Sequence, residues 1–260
     1  MSVGRRVVAI HQPNFFPWLG YFEKIARADV FVALDSVQFS KTGGTWCNRV
    51  RVLVNHRPAW LTMPVDRGFH GVRTIREMRI AGTRWREKLL RTLELAYGRA
   101  PYFGEVFPVL EGILGIGAET VAEFNLEGLR RLTGKLRLCP AGIVESSSLR
   151  ATGEATDLLI SIVKHVGGTA YLCGGGAGDY QEDEKFAAAG VELVYQCFAH
   201  PTYTQRGEAG FTPGLSVIDA LMQCGFDGTR ELVAHPRPQL TGLAVSDGVQ
   251  RGSGRGNEIR

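Results

Sequence analysis

A β-branched run at residues 7–10 constrains the fold more than anything else in the chain, because of the loop, helix and second apolar run that come directly after it. It ends on His11-Gln12-Pro13-Asn14 and a proline-punctuated loop. Residues 18–28 then place Leu19, Phe22, Ile25 and Ala26 at helical spacing, and a second apolar run, residues 30–34, stops at Asp35. Strand, loop, helix and strand within about 30 residues is the length of a minimal βαβ crossover. A crossover of that length joins parallel strands, so the chain is read as α/β.

The pattern recurs. Residues 169–172 form an apolar run, followed by the loop Cys173-Gly174-Gly175-Gly176-Ala177-Gly178, a helix to Ala189, a Gly190 stop and a strand over residues 191–198. Between the two units, residues 46–54 and 59–64 read as strands around the turn Asn55-His56-Arg57-Pro58. Residues 84–97, 102–115 and 118–133 have helical patterns, broken at Pro101 and at Gly115 to Gly117. Residues 143–147 read as a short strand, 156–166 as an amphipathic helix, and 215–222 as a last short helix. The expected architecture is a Rossmann-like, mostly parallel sheet built from two βαβ units, with a helical insert at about residues 84–135. Residues 1–235 would form one domain. Residues 236–260, rich in Gly, Ser, Arg and Gln, have little to bury and are expected to be a flexible tail.

Composition narrows the partners. Of the 260 residues 44% are apolar, enough for a substantial core, and the formal charge is only +4. The basic residues are scattered and carry no nucleic-acid recognition motif, yet a mild excess suits an anionic substrate such as a nucleotide sugar, a phosphopantetheine thioester or CoA. The five cysteines form no CxxC pair, so neither a zinc site nor a disulfide framework is expected. No signal peptide and no apolar run long enough to span a bilayer appear, and the expected location is cytoplasmic.

In parallel sheets ligands bind at the carboxyl ends of the strands. His11 and Gln12 leave one such end, Asp35 and Gln38 another. A histidine there suits a general base or an oxyanion donor, or caps backbone groups in the turn. Asp35 suits a group that orients a ligand or a histidine, or an ion pair with Lys41 or Arg49. Cys173 stands between a strand and a helix-opening glycine turn, where a helix N-terminus lowers a thiol pKa. The same loop could cradle phosphate through Gly174 and its neighbours, or simply pack a buried cysteine. It is neither a dinucleotide fingerprint nor a Walker A loop. Tyr180 and Tyr203 could wall a pocket, and Ser216 and Asp219 have capping-box spacing. No metal and no cofactor are expected.

Several motifs resemble the WbqC-like protein family. They are Ile10-His11-Gln12-Pro13, Phe16-Pro17-Trp18-Leu19-Gly20-Tyr21-Phe22 with Lys24, and Asp29 to Asp35 with Val37-Gln38-Phe39. Asn48-Arg49, Trp60-Leu61-Thr62-Met63-Pro64, and Tyr97 with Pro101-Tyr102-Phe103 extend the match. It continues through Ser147, Gly153, Thr156-Asp157 and Tyr171-Leu172, and closes with Pro201, Tyr203, Gln205, Phe211, Pro213, Leu215-Ser216, Asp219 and Gly225. The family is associated with surface-polysaccharide and natural-product clusters. The resemblance implies a transferase that moves an aminoacyl group such as glycine onto an amino sugar or similar amine. Joined to the candidate residues, it leads to the expectation of acyl or aminoacyl transfer from a thioester, small-molecule or carrier-protein-bound, to an amine acceptor. In that scheme Cys173 takes the acyl group, His11 shuttles the proton and Asp35 orients the histidine. Gln12, Gln38, Asn48, Gln205, Ser216 and Asp219 hold the substrate or oxyanion, and Arg49 meets an anionic group. The family usually has serine at the position of Cys173. The first βαβ unit also resembles, distantly, the nucleotide-binding crossover of HIGH-type nucleotidyltransferases, with Trp18-Leu19-Gly20-Tyr21 in place of the histidine motif. A nucleotide- or nucleotide-sugar-dependent transferase is therefore the alternative expectation, and a non-catalytic binding protein of a biosynthetic cluster a second.

Overall fold

The core of the molecule is a five-stranded sheet in the order β5 (Ile143–Glu145), β2 (Val30–Ala33), β1 (Val7–His11), β6 (Ala170–Cys173) and β7 (Glu192–Tyr195), with every neighbouring pair parallel. This computed structural model describes residues 4–40, 45–138, 142–174, 182–206 and 210–234. Strands β1 (Val7–His11) and β2 (Val30–Ala33) flank α1 (Leu19–Arg27) in the chain, and β6 (Ala170–Cys173) and β7 (Glu192–Tyr195) flank α6 (Asp183–Ala188). These are the two βαβ units of a Rossmann-like sheet, and β5 (Ile143–Glu145) extends it beyond β2.

Both faces of the sheet are covered, which is why its strands read as continuous apolar runs. Ala9, Phe31, Ala33 and Leu172 pack with Tyr21, Phe22 and Ile25 of α1 in the larger core cluster. Alternate residues Val8, Ile10, Val32, Tyr171 and Cys173 face the other way. They pack with Ile162 and Val163 of α5 (Ala155–His165) and with Phe186 of α6.

The antiparallel pair β3 (Arg49–Val54) and β4 (Arg57–Thr62) stands apart from this sheet. Its turn is tighter than the four-residue turn expected. Only Asn55 and His56 lie between the strands, with φ of 48° and 62°, the backbone of a two-residue hairpin with both residues left-handed. Helices α2 (Trp85–Tyr97), α3 (Phe103–Leu114) and α4 (Val121–Lys135) follow. A Thr120–Glu123 capping box starts the last of them.

Helix α7 (Val217–Val233) corrects the expectation of a short helix ending at Met222. Gly225 sits inside it at φ 69° and ψ −176°, a kink rather than a stop. A Cβ there would stand 2.6 Å from the Tyr102 ring, so the glycine answers both the backbone and a close neighbour. Among the described residues, no helix is long and apolar enough to cross a membrane.

Candidate functional site

The chain leaves β1 toward β2 on one side and returns to β6 on the other, so the topological switch point lies between β1 and β6. Their paired residues run only from Val7↔Ala170 to Ala9↔Leu172, whereas β1 pairs with β2 as far as His11↔Ala33. The carbonyls of Val7 and His11 accept from Asp29 and Leu34 at 2.8 Å each, on the β2 side. Strand alternation therefore turns the Ile10 carbonyl toward β6. There it accepts a 2.9 Å hydrogen bond from Lys24 Nζ, reaching over from α1.

Lys24 is only 2% exposed. Burial pulls its ammonium pKa down to about 8, against the opposing pull of Cys173 and the neighbouring Glu23. The Tyr171 ring lies 5.8 Å from Nζ. Gln196, just past β7, donates to the Gly20 carbonyl at 2.6 Å and to Glu23 at 2.5 Å, tying α1 to this edge of the sheet. Gly20 lets α1 start so close to the loop: a Cβ would meet the Trp18 ring at 2.2 Å.

His11 shares this edge. Its ring packs edge-on against Tyr21 at 4.7 Å, and its Nδ1 lies 3.1 Å from the Gln12 carbonyl oxygen. A carbonyl only accepts, so Nδ1 carries the hydrogen and Nε2 the lone pair. Burial, and secondly the Lys24 cation, hold the imidazole pKa down to about 3. His11 is thus neutral at physiological pH, and its unprotonated Nε2, near the buried ammonium, has no hydrogen-bond partner among the described residues. Gln12 is fixed as well: its carbonyl also accepts from Tyr21 Oη at 2.9 Å, and its Oε1 lies 3.6 Å from Cys47 Sγ.

Of the other expected site residues, Cys173 stays near enough to act on the Lys24 ammonium, and the rest are engaged apart from His11. Asp35, expected to orient His11, accepts from Ser146 Oγ at 2.8 Å, Ser147 N at 2.9 Å and Ser147 Oγ at 2.6 Å. It fastens the end of β2 to the turn after β5, and no hydrogen bond joins it to His11 among the described residues. The Gln12 carbonyl fixes the tautomer in its place. Cys173, expected to face the crevice as a nucleophile, is fully buried on the α5 and α6 side of the sheet. Its thiol donates to the Val194 carbonyl at 3.4 Å. Its alternation with Leu172 on β6 sets this orientation. Gly174 directly follows β6, while Tyr180 and most of the glycine-rich loop lie outside the described residues.

Tyr203, Gln205 and Asp219 do come together, around a carboxylate with no exposed surface. Asp219 accepts from Tyr97 Oη and Tyr203 Oη at 2.8 Å each and from Gln205 Nε2 at 3.0 Å. Desolvation raises its pKa and the three donors oppose that rise. A cleft of about 470 Å³ opens beside it, lined also by His56, Arg99, Arg206 and Gln223. Ser216 caps α7 by accepting from Ile218 N at 3.2 Å and donates to the Phe16 carbonyl at 2.7 Å. It forms no capping box with Asp219, whose oxygens are engaged by the tyrosines and Gln205. Asn48 is buried, donating to the Met63 carbonyl at 3.0 Å, with its Oδ1 unpartnered among the described residues. Gln38 is exposed and bridges to Thr74 through its backbone. The Arg49 guanidinium lies 4.3 Å from the Trp60 ring centroid.

Lys24 is the site residue that reading by residue type passed over. Its signal was its place in the row Tyr21, Lys24 and Ala28, otherwise apolar and core-facing.

A parallel α/β sheet with His11 and Lys24 at its switch point defines a Rossmann-like α/β protein. The chain belongs to the WbqC-like protein family, whose sequence profile matches residues 12–231. It is also similar to a Mycobacterium tuberculosis protein bearing the name "Uncharacterized protein Rv1507c". The two are 28% identical over 221 residues, covering 84% of this chain and 94% of that one. No solved structure matches the chain.

Proposed function

We propose that the protein is a cytoplasmic transferase of a surface-polysaccharide or natural-product pathway, which moves an acyl or aminoacyl group directly from a thioester to an amine. The observation that carries this reading is the neutral imidazole of His11, held by the Gln12 carbonyl beside the buried Lys24 cation. The acceptor nitrogen attacks the thioester carbonyl while His11 Nε2 takes its proton, the negative charge forming on the carbonyl oxygen raising the imidazole pKa as it does so. The carbon–sulfur bond then breaks, and the departing thiolate recovers that proton from the imidazolium. The Lys24 ammonium offsets the negative charge that forms on the carbonyl oxygen and then on sulfur. Transfer without a covalent enzyme intermediate suits the inward-facing Cys173 thiol.

The test is release of free thiol from a panel of acyl and aminoacyl thioesters in the presence of amines. Acceptor-dependent release should survive in Cys173→Ala and fall at least about 100-fold in His11→Ala. Equal rates in wild type and His11→Ala would end the proposal. The switch-point crevice also favours a second reading, transfer from a nucleotide-activated donor, because crevices of this kind hold phosphates. Tight nucleotide binding with no thioester turnover would select it.

A further inference from the structure

The proposed chemistry makes no use of the outward face of the β3–β4 hairpin and the segment leading into it. Trp46 and Trp60 are 48% and 47% exposed, with ring centroids 5.6 Å apart and planes inclined by 47°. Arg51 pairs with Trp60 across the hairpin, and Arg49 pairs with Thr62, one step along the same face. Their guanidinium carbons lie 5.8 and 4.3 Å from the Trp60 ring centroid. The surrounding sequence has one sign of charge: between Asp35 and Asp66 it contains Lys41, Arg49, Arg51 and Arg57 and no acidic residue.

This surface adjoins the loop that follows His11. The Trp46 carbonyl accepts from Phe15 N at 2.8 Å, and Cys47 Sγ lies 3.6 Å from Gln12 Oε1. The backbone of residues 46 and 47 is therefore laced to the loop that leaves β1. Half-exposed indoles offer flat apolar faces that favour a flat partner, and guanidiniums favour anions. A sugar ring alone fits less well, because it would leave the guanidiniums without an anion. A purine carrying phosphate satisfies both demands.

We infer that Trp46 and Trp60 form a stacking platform for the purine ring of a coenzyme A thioester donor, with Arg49 and Arg51 meeting its phosphates. The identity of the donor rests on the thioester reading above, whereas the platform itself does not. Coenzyme A binding, measured by calorimetry without any turnover, separates the two. Wild type should bind coenzyme A, and adenosine more weakly, but not pantetheine. Trp46→Ala and Trp60→Ala should each weaken coenzyme A by about ten-fold or more, and Trp60→Phe should recover part of that loss. Binding should become less salt-dependent in Arg49→Met. His11→Ala should bind coenzyme A like wild type even where it loses turnover. Unchanged affinity in both tryptophan-to-alanine variants would overturn the platform. ATP binding that depends on the tryptophans, without coenzyme A binding, would overturn the donor assignment.

Discussion

Lys24 Nζ donates to the Ile10 carbonyl oxygen at 2.9 Å, in the gap where β1 and β6 stop pairing. The ammonium replaces a strand partner that the ladder no longer supplies, and it leaves a cation at the switch point of the sheet. Burying that charge costs stability, and the cost depends on pH. With a folded pKa of about 8 against 10.5 for the ordinary amine, the unfolded chain binds more protons between these values. Stability is lowered in full below pH 8 and recovers as pH rises toward 10.5. Relative to Lys24→Met, wild type should gain about 3 kcal/mol across that window. Urea midpoints of both proteins at pH 8 and pH 10 check this, and parallel curves would refute it.

Asp35 predicts a separation of stability from catalysis. Three hydrogen bonds end on its carboxylate, all from Ser146 and Ser147. Asp35→Asn should cost about 2–3 kcal/mol in urea denaturation, since an amide nitrogen would face serine donors. The His11 ring resonances should titrate as in wild type, near pH 3. A displaced His11 titration would restore the orienting role to Asp35.

The tyrosines around Asp219 should rank in a definite order. Tyr97 Oη both donates to Asp219 and accepts from Leu53 N at 3.1 Å, deep in the core. Tyr203 Oη donates to the same carboxylate from a partly buried position. Tyr97→Phe should cost about 2–3 kcal/mol and Tyr203→Phe about 1 kcal/mol, because only the first strands a buried N–H. Thermal denaturation of the two variants decides the order.

Gly225→Ala should be among the most damaging small substitutions in the chain. It forces a side chain into a backbone region that glycine alone adopts freely and drives Cβ to 2.6 Å from the Tyr102 ring. A loss of about 3 kcal/mol is expected. Adding Tyr102→Ala should relieve the clash but not the backbone strain, so recovery should be partial. Full recovery would show that the kink itself carries no strain.

Much of this was legible in the residues. The apolar runs at residues 7–10 and 30–34, with one helix between them, declare a parallel crossover, because strand and helix periods differ and the segment is too short for anything larger. Residues 169–198 repeat the signal, and the sheet follows from the pair. The length of α7 was not legible: a glycine reads as a helix stop, whereas here it is a kink beside the Tyr102 ring and the helix resumes beyond it. His11 was visible as a residue released at a strand end, and so was Asp35. Which group orients the histidine was not, since Asp35 finds its serines 111 and 112 positions away.

The sequence alone determined the local structure and the class of fold, because hydrophobic period, turn residues and glycine stops act within a few residues of chain. Tertiary structure decided where the β1–β6 ladder ends and hence why Lys24 is buried. It also turned Cys173 toward Val194 on the α5 and α6 face of the sheet, and brought Trp46 beside the loop leaving β1. These depend on strand order and on which face each residue takes, and both are settled only when distant segments pack.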